Sequence, residues 1–480
     1  METVDRVLAV AVDYAWGVPL IILLVVGGLI LTIIVRFLPL LGARHAIALL
    51  RGRYDDEHDP GQISHFQALS TALSSTIGMG NIGGVAIAIT QGGPGAVFWM
   101  WVAAFVGMTT KYFTCTLAVL YRGRDSLGVL QGGPMYYIEV GLGRPFRFLA
   151  IFFSICGMIG CLAMFQTNQM AEILTAAYDL PGWITGLVCV FLVTLIIIGG
   201  LQRIAAVASR IVPSMCLLYV VGVGIIIVKN LSGIPAIFGQ IFHDAFTGTA
   251  AAGGVAGIAF RQVVQTGVKR AAFSNEAGIG TAPMAHGAAK TAEPVREGLV
   301  AMIGPFIDTI VVCTLTALTI LSAGNWQVSD VEGTSLTIQA FEASMGVAGK
   351  LGLILVVVMF GLSTMIGFSY YGKKCFSYLF GAQRGRIYDV FYIVMLFLGA
   401  VWSVDIVVNL LDTAFALMAL PNMIATLILA PKVLAASRDY FRRMGIGEHG
   451  KEGEYARAAD SGLAALDPPG VDEAGRSTRE

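Results

Sequence analysis

Residues 66–91 read FQALSTALSSTIGMGNIGGVAIAITQ, and the middle of this run decides the architecture. It is long and apolar enough to cross a bilayer core of about 30 Å as a helix. Yet Gly78, Gly80, Gly83 and Gly84 fall at its centre, beside Ser74, Ser75, Thr76 and Asn81. Glycine costs about 1 kcal/mol against alanine in a helix interior, and an unpaired backbone group in hydrocarbon costs far more. Close helix packing through small residues is one reading of the glycines. Four polar side chains at mid-membrane depth favour another, a helix that breaks. Its freed carbonyls at Thr76 and Ile77 suit a cation, and freed N–H groups over Gly78, Met79 and Gly80 suit a carboxylate.

The rest of the chain fits a membrane setting. Of 480 residues 56% are hydrophobic and only 13% are charged, where a soluble domain carries roughly 25% charged residues. Eleven apolar runs read as spans: 16–38, 66–91, 94–121, 147–176, 183–200, 207–229, 246–268, 298–321, 350–372, 387–404 and 406–430. The first is too long for a signal-peptide core and reads as retained. Arg36, Arg44, Arg51 and Arg53, then Arg122, Arg124, Arg144 and Arg147, then Lys373, Lys374, Arg384 and Arg386 fall in alternate loops. Lys269, Arg270, Lys290 and Arg296 read as another such loop. The opposite loops hold Asp179, Asp244, Asp330, Glu332 and Glu342. By the positive-inside rule the N-terminus is outside and the C-terminus cytoplasmic, as in a multi-pass bacterial inner (plasma) membrane protein. Residues 1–60 read as one extra N-terminal helix with a basic inner loop, 61–440 as the transporter core, and 441–480 as a disordered tail. All seven cysteines lie in or beside apolar runs and read as buried, reduced thiols.

A second glycine-interrupted run, 246–268, carries Gly253, Gly254 and Gly257 near its middle. With the first span set aside, it is the sixth of ten and 66–91 is the first of ten. Interrupted spans at matching places in two halves point to an inverted five-plus-five repeat with its site at the interface.

Three motifs carry a family resemblance. GGPGAVFWMWVAAFVG (Gly92–Gly107), FSNEAGIGTAP (Phe273–Pro283) and GFSYYG (Gly367–Gly372) resemble, in this order, those of the alanine or glycine:cation symporter family. The resemblance runs from about residue 60 to 440. It implies an all-α polytopic protein of leucine-transporter fold with one extra N-terminal helix, and sodium-coupled uptake of a small neutral amino acid. The GMGN at Gly78–Asn81 also resembles the broken first helix of the neurotransmitter:sodium symporters. By position, that implies a sodium held by the Ile77 carbonyl and the Ser363 and Thr364 hydroxyls, with Thr76 and Asn81 matching a second sodium site. Gln166 matches a family glutamine, which implies contact with substrate. The family usually has Thr at Met79 and Trp at Phe368; both departures make the site more apolar, and the second makes room for a larger substrate. Lys373 stands where the family commonly has Glu.

Asp308, deep in its span, is a candidate for balancing the cation charge or a satisfied packing residue. Asn168 is a weaker amide candidate than Gln166. Glu172, Asp405 and Asp412 fall near span ends and read as solvated. Glu276 and His286 read as an inner loop, where Glu276 pairing with Lys269 and Arg270 makes either a gate or a surface ion pair. Trp99 and Trp101 suit an interfacial belt.

Symport has competitors. Proton coupling in place of sodium is the nearest; a passive channel lacks the expected ring of acids. An enzyme lacks a nucleophile or HExxH motif. The net charge of +0 gives no case for nucleic acid, and without a G-x-x-x-x-G-K-[ST] motif no ATP-binding part is expected. The expected partners are an amino acid and membrane lipid; oligomeric state is not legible.

Overall fold

The computed structural model describes residues 10, 12 and 14–444, apart from 57, 248–255, 325 and 327–332. Residues 445–480 of the expected tail lie outside them. The protein is helical, with one short hairpin pairing β1 (Gly123–Arg124) antiparallel to β2 (Leu130–Gln131).

The run quoted above forms two helices. α1 (Val18–Ile34) precedes them. α2 (His65–Thr76) starts at a reciprocal cap, in which Ser64 Oγ accepts the Gln67 N–H at 3.2 Å and Gln67 Oε1 accepts the Ser64 N–H at 3.1 Å. It stops at Ile77, which is extended, and α3 (Met79–Gly92) begins two residues later. The two are bent by 43° at the junction. Every residue from 68 to 86 is buried, so this break is wrapped by protein and not by lipid.

α4 (Gly95–Leu120) follows, then α5 (Arg147–Gly160) and α6 (Met164–Tyr178). α7 (Gly182–Ile197), α8 (Gly200–Lys229) and α9 (Ile234–Thr247) come next. α10 (Ala256–Asn275) and the short α11 (Ala282–His286) flank a second break. α12 (Pro294–Ala301) leads through a π-helical stretch, Phe306–Cys313, into α13 (Thr314–Ala323). α14 (Gly333–Phe380) is interrupted at Gly346, and α15 (Gly385–Val401) and α16 (Val404–Arg443) complete the order. Near the end of α16, in a unit apart from residues 1–430, Arg443 pairs with Asp439 at 2.8 Å.

Six helical stretches among the described residues are long and apolar enough to cross a membrane, and the bent α2–α3 pair makes a seventh. α1 and α7 are apolar but shorter, with 17 and 16 residues. Outward faces are apolar: Leu217, Val221, Ile225 and Val228 on α8 are all exposed. In water such a surface would aggregate; in lipid it is the solvated face. The chain is a multi-pass membrane protein.

The centre is built from α2, α3, α10 and the second part of α14. α10 packs on α3 and α4, and α14 packs on α2, α3 and α8.

Of the second interruption expected from sequence, Gly253 and Gly254 lie outside the described residues, and Gly257 sits in the first turn of α10. The chain also unwinds further on, over Glu276–Thr281, where Glu276, Gly278 and Gly280 have φ of +54°, +86° and +103°. Residues 274–289 are buried throughout. Small side chains here let neighbours close over the backbone, and Asn422 Nδ2 donates to the Gly278 carbonyl at 2.6 Å. Glu276 and His286 are therefore 2% and 1% exposed, not part of a surface loop.

Candidate functional site

The two breaks face a common cavity. Ser75, Thr76, Gly78 and Gly80 line it from the first break, and Phe273 and Glu276 from the second. Gly160 and Gln166 come from the α5–α6 bend, Phe368 from α14, and Leu411 and Phe415 from α16. About 10 Å³ is open to the centre of a water molecule, room for about one water. Admitting an amino acid requires the aromatic wall to move. Phe273 contacts Phe165 and Phe415 edge-on or tilted, and Phe415 meets Phe368 at 6.1 Å.

The end of α2 leaves backbone oxygens without helical partners. The Gly78 N–H turns away from the Ser74 carbonyl and donates to Asn81 Oδ1 at 2.9 Å. The last carbonyls of α2 lose helical partners where the helix dipole is negative. α14 lies directly against this end. A Cβ on Gly78 would collide with Thr364 Oγ1, which is why this position needs glycine. A Cβ on Gly367 would sit 2.8 Å from Ser74 Oγ. Thr364 Oγ1 donates to the Phe360 carbonyl at 3.0 Å, keeping its lone pairs free. Ser363 Oγ is buried and has no hydrogen-bond partner. Carbonyl and hydroxyl oxygens of this kind suit a hard cation.

Asn81 stands behind the break. Its Nδ2 donates to Asp308 Oδ2 at 2.9 Å and to Ser274 Oγ at 3.1 Å. Asp308 is fully buried and also accepts from Ser274 Oγ at 2.6 Å and Thr309 Oγ1 at 2.7 Å. The π-helical stretch presents it, a local irregularity often found at functional sites. Lys111, in the middle of α4, is 3% exposed.

Of the residues singled out by sequence, Thr76, Gly78, Gly80, Gln166 and Phe368 meet at the cavity. Met79 does not line it; its Cε lies where a side chain on Gly361 would go. Asn81 is occupied by the Asp308 cluster. Asn168 Nδ2 braces the Gly399 and Trp402 carbonyls, at 3.0 and 2.9 Å. Lys373 pairs with Asp389 at 2.6 Å.

Three groups were misread or missed. Asp412 is fully buried, not solvated, and binds Lys269 at 2.9 Å and Arg270 at 3.3 Å. Those two cations belong to α10, and they pair with Asp412 in place of Glu276; Arg270 also lies over the Phe273 ring at 5.6 Å. Lys111 is the second, and a lysine inside an apolar run is itself a signal in the sequence. The third is a buried carboxylate at the start of α2. Glu297 binds His286 Nδ1 at 2.5 Å and also His65 Nδ1. Beside it the Arg122 guanidinium donates to the carbonyls of Gly287, Pro60, Thr291 and Ala289 at 2.9, 3.1, 2.8 and 2.5 Å. Burial pulls that guanidinium down to about 10, still protonated at neutral pH.

Comparison with known proteins adds a family. The model of the sodium:alanine symporter family matches residues 1–454. The chain is 41% identical over 436 residues to the sodium/alanine symporter AgcS of Methanococcus maripaludis, covering 89% of this chain and 95% of that protein. It is 33% identical over 451 residues to the probable sodium/glutamine symporter GlnT of Bacillus subtilis, covering 93% of each. Among solved structures, it is similar in fold to a substrate-bound, outward-open Na+-coupled sialic acid symporter. There the TM-score is 0.51 at 11% identity, over 87% of this chain and 98% of that one.

Proposed function

Because this chain belongs to the sodium:alanine symporter family, we propose that it couples inward sodium movement to uptake of a small neutral amino acid of the alanine or glycine class. It is a transporter and not an enzyme. The observation that carries this reading is the shared cavity, bounded by the end of α2, the start of α3 and the unwound Glu276–Thr281.

In this reading sodium sits at the end of α2, between the Ile77 carbonyl and the Ser363 and Thr364 hydroxyls. The zwitterion lies across the break, with its carboxylate toward Gly78 and Gly80 at the positive end of α3. The aromatic wall of Phe273, Phe368 and Phe415 receives the side chain. Phe368, where the family commonly has tryptophan, leaves room for substrates larger than alanine. Asp308 and Asn81 fix the first break from behind and hold negative charge near the ion. Thr76 and Asn81 are the candidates for a second ion.

The wider architecture proposed is eleven spans, one within residues 1–60 and ten within 61–440 as an inverted repeat. The N-terminus is outside, and residues 441–480 are a cytoplasmic tail.

The membrane potential makes such coupling effective. One charge moved across 100 mV is worth about 2.3 kcal/mol, roughly fifty-fold accumulation of a neutral substrate. Proton coupling is the second reading, favoured by the buried acids Glu276 and Asp308. Uptake into proteoliposomes separates the two. Alanine accumulation should follow an imposed sodium gradient, and a proton gradient alone should not drive it. Accumulation driven by protons without sodium would overturn the sodium reading.

A further inference from the structure

Not every carboxylate near the cavity is available to a substrate. Asp308 is saturated: Asn81 fills one oxygen, and Ser274 and Thr309 fill the other. Glu276 differs. It is the acidic residue among the cavity's lining residues. Thr281 Oγ1 donates to its Oε2, which leaves the second oxygen for another donor. Its backbone holds φ of +54°, a left-handed conformation uncommon for a residue with a side chain. Such outliers persist where the surroundings over-determine them, often at ligand clamps.

A second acceptor joins it. Gln166 lines the same cavity, is 5% exposed, and its Oε1 is buried without a hydrogen-bond partner. An orphaned buried acceptor is a group waiting for a donor. A carboxylate, an amide oxygen and the carbonyl end of α2 all bound this small space. All three accept hydrogen bonds, and together they suit an ammonium.

We infer that Glu276, with Gln166, is the receptor for the substrate's α-ammonium group, and that the cavity selects zwitterions carrying a free amine over hydroxy acids of the same shape. This rests on the symport reading and adds to it which group recognises the amine.

The test compares L-alanine with L-lactate, its hydroxy analogue, in competition binding to purified full-length protein in saturating sodium. Wild-type protein should bind alanine and discriminate strongly against lactate. Glu276→Gln removes the carboxylate that would pair with the ammonium, and an amide serves the lactate hydroxyl as well. Alanine affinity should fall on the order of 100-fold, lactate affinity should not fall, and the preference ratio should collapse. Gln166→Met keeps side-chain length and Glu276 intact. It should weaken alanine about ten-fold and spare lactate, so the idea stays testable if Glu276→Gln does not fold. Equal weakening of both ligands, with the ratio kept, would make Glu276 a brace for the second break and overturn the inference. A wild-type protein that binds no zwitterionic amino acid would overturn the symport reading itself, a distinct result.

Discussion

Ser363 offers a prediction with two opposite signs. Its hydroxyl is buried and has no hydrogen-bond partner, while the neighbouring Thr364 hydroxyl meets Gly78 at the end of α2. An unsatisfied buried hydroxyl costs about 1–3 kcal/mol. Ser363→Ala should therefore leave the sodium-free protein as stable as the parent, or more stable by up to that amount. With sodium the sign reverses. A hydrogen-bonding group facing a charge contributes about 1.5–3 kcal/mol, so losing this oxygen should weaken sodium by about 10–150-fold. Each tenfold loss removes about 1.4 kcal/mol of sodium-linked stabilisation once sodium exceeds its dissociation constant. The assay is thermal unfolding of purified protein across a sodium titration, with N-methylglucamine holding ionic strength constant. The variant's melting curve should start at or above the parent's and shift upward only at much higher sodium. An unchanged sodium midpoint, or a variant less stable without sodium, would refute the reasoning.

Gly78→Ala forces a methyl group into Thr364 Oγ1. It should cost about 1–3 kcal/mol by overpacking and depress sodium-driven uptake; adding Thr364→Ala should recover stability but not sodium dependence, and additive stability losses would count against the contact. Phe368→Trp adds ring volume to the wall beside Phe415, so competition for uptake should shift toward glycine and alanine and away from larger neutral amino acids. An unchanged competition profile would remove Phe368 from the pocket wall. Glu297→Gln leaves His65 and His286 without their shared carboxylate, a loss of about 3–5 kcal/mol for a broken buried pair. The melting temperature should drop sharply in detergent, and an unshifted one would show that the cluster does not hold the start of α2 in place.

The first break was legible because its cause is local. Four glycines and four polar side chains share one apolar run, and Ser75, Thr76, Gly78 and Gly80 among them line the cavity. The unwinding over Glu276–Thr281 was not legible, for a physical reason. It lies among charged and small residues that resemble a loop. A membrane protein can bury such a segment if distant groups satisfy it, here Asn422 on α16. Distance in sequence also hid Asp412, whose partner Arg270 lies 142 residues away. Next to a span end it reads as solvated; beside two cations from α10 it is a buried ion pair. Met79 stands at the break with a backbone N–H suited to a carboxylate, while the first turn of α3 directs its side chain toward Gly361. Side-chain direction on a helix depends on the start of the turn, which a sequence fixes only to within a residue or two.

The central claim is that two unwound stretches grip an ion and a zwitterion between them. An experimental density map of the protein in sodium and alanine tests it most directly. The account predicts a compact peak within ligand distance of the Ile77 carbonyl and the Ser363 and Thr364 hydroxyls. It also predicts an elongated feature spanning Gly78–Gly80 to Glu276. Ligand density lying elsewhere in the bundle, with both stretches making only protein contacts, would contradict it.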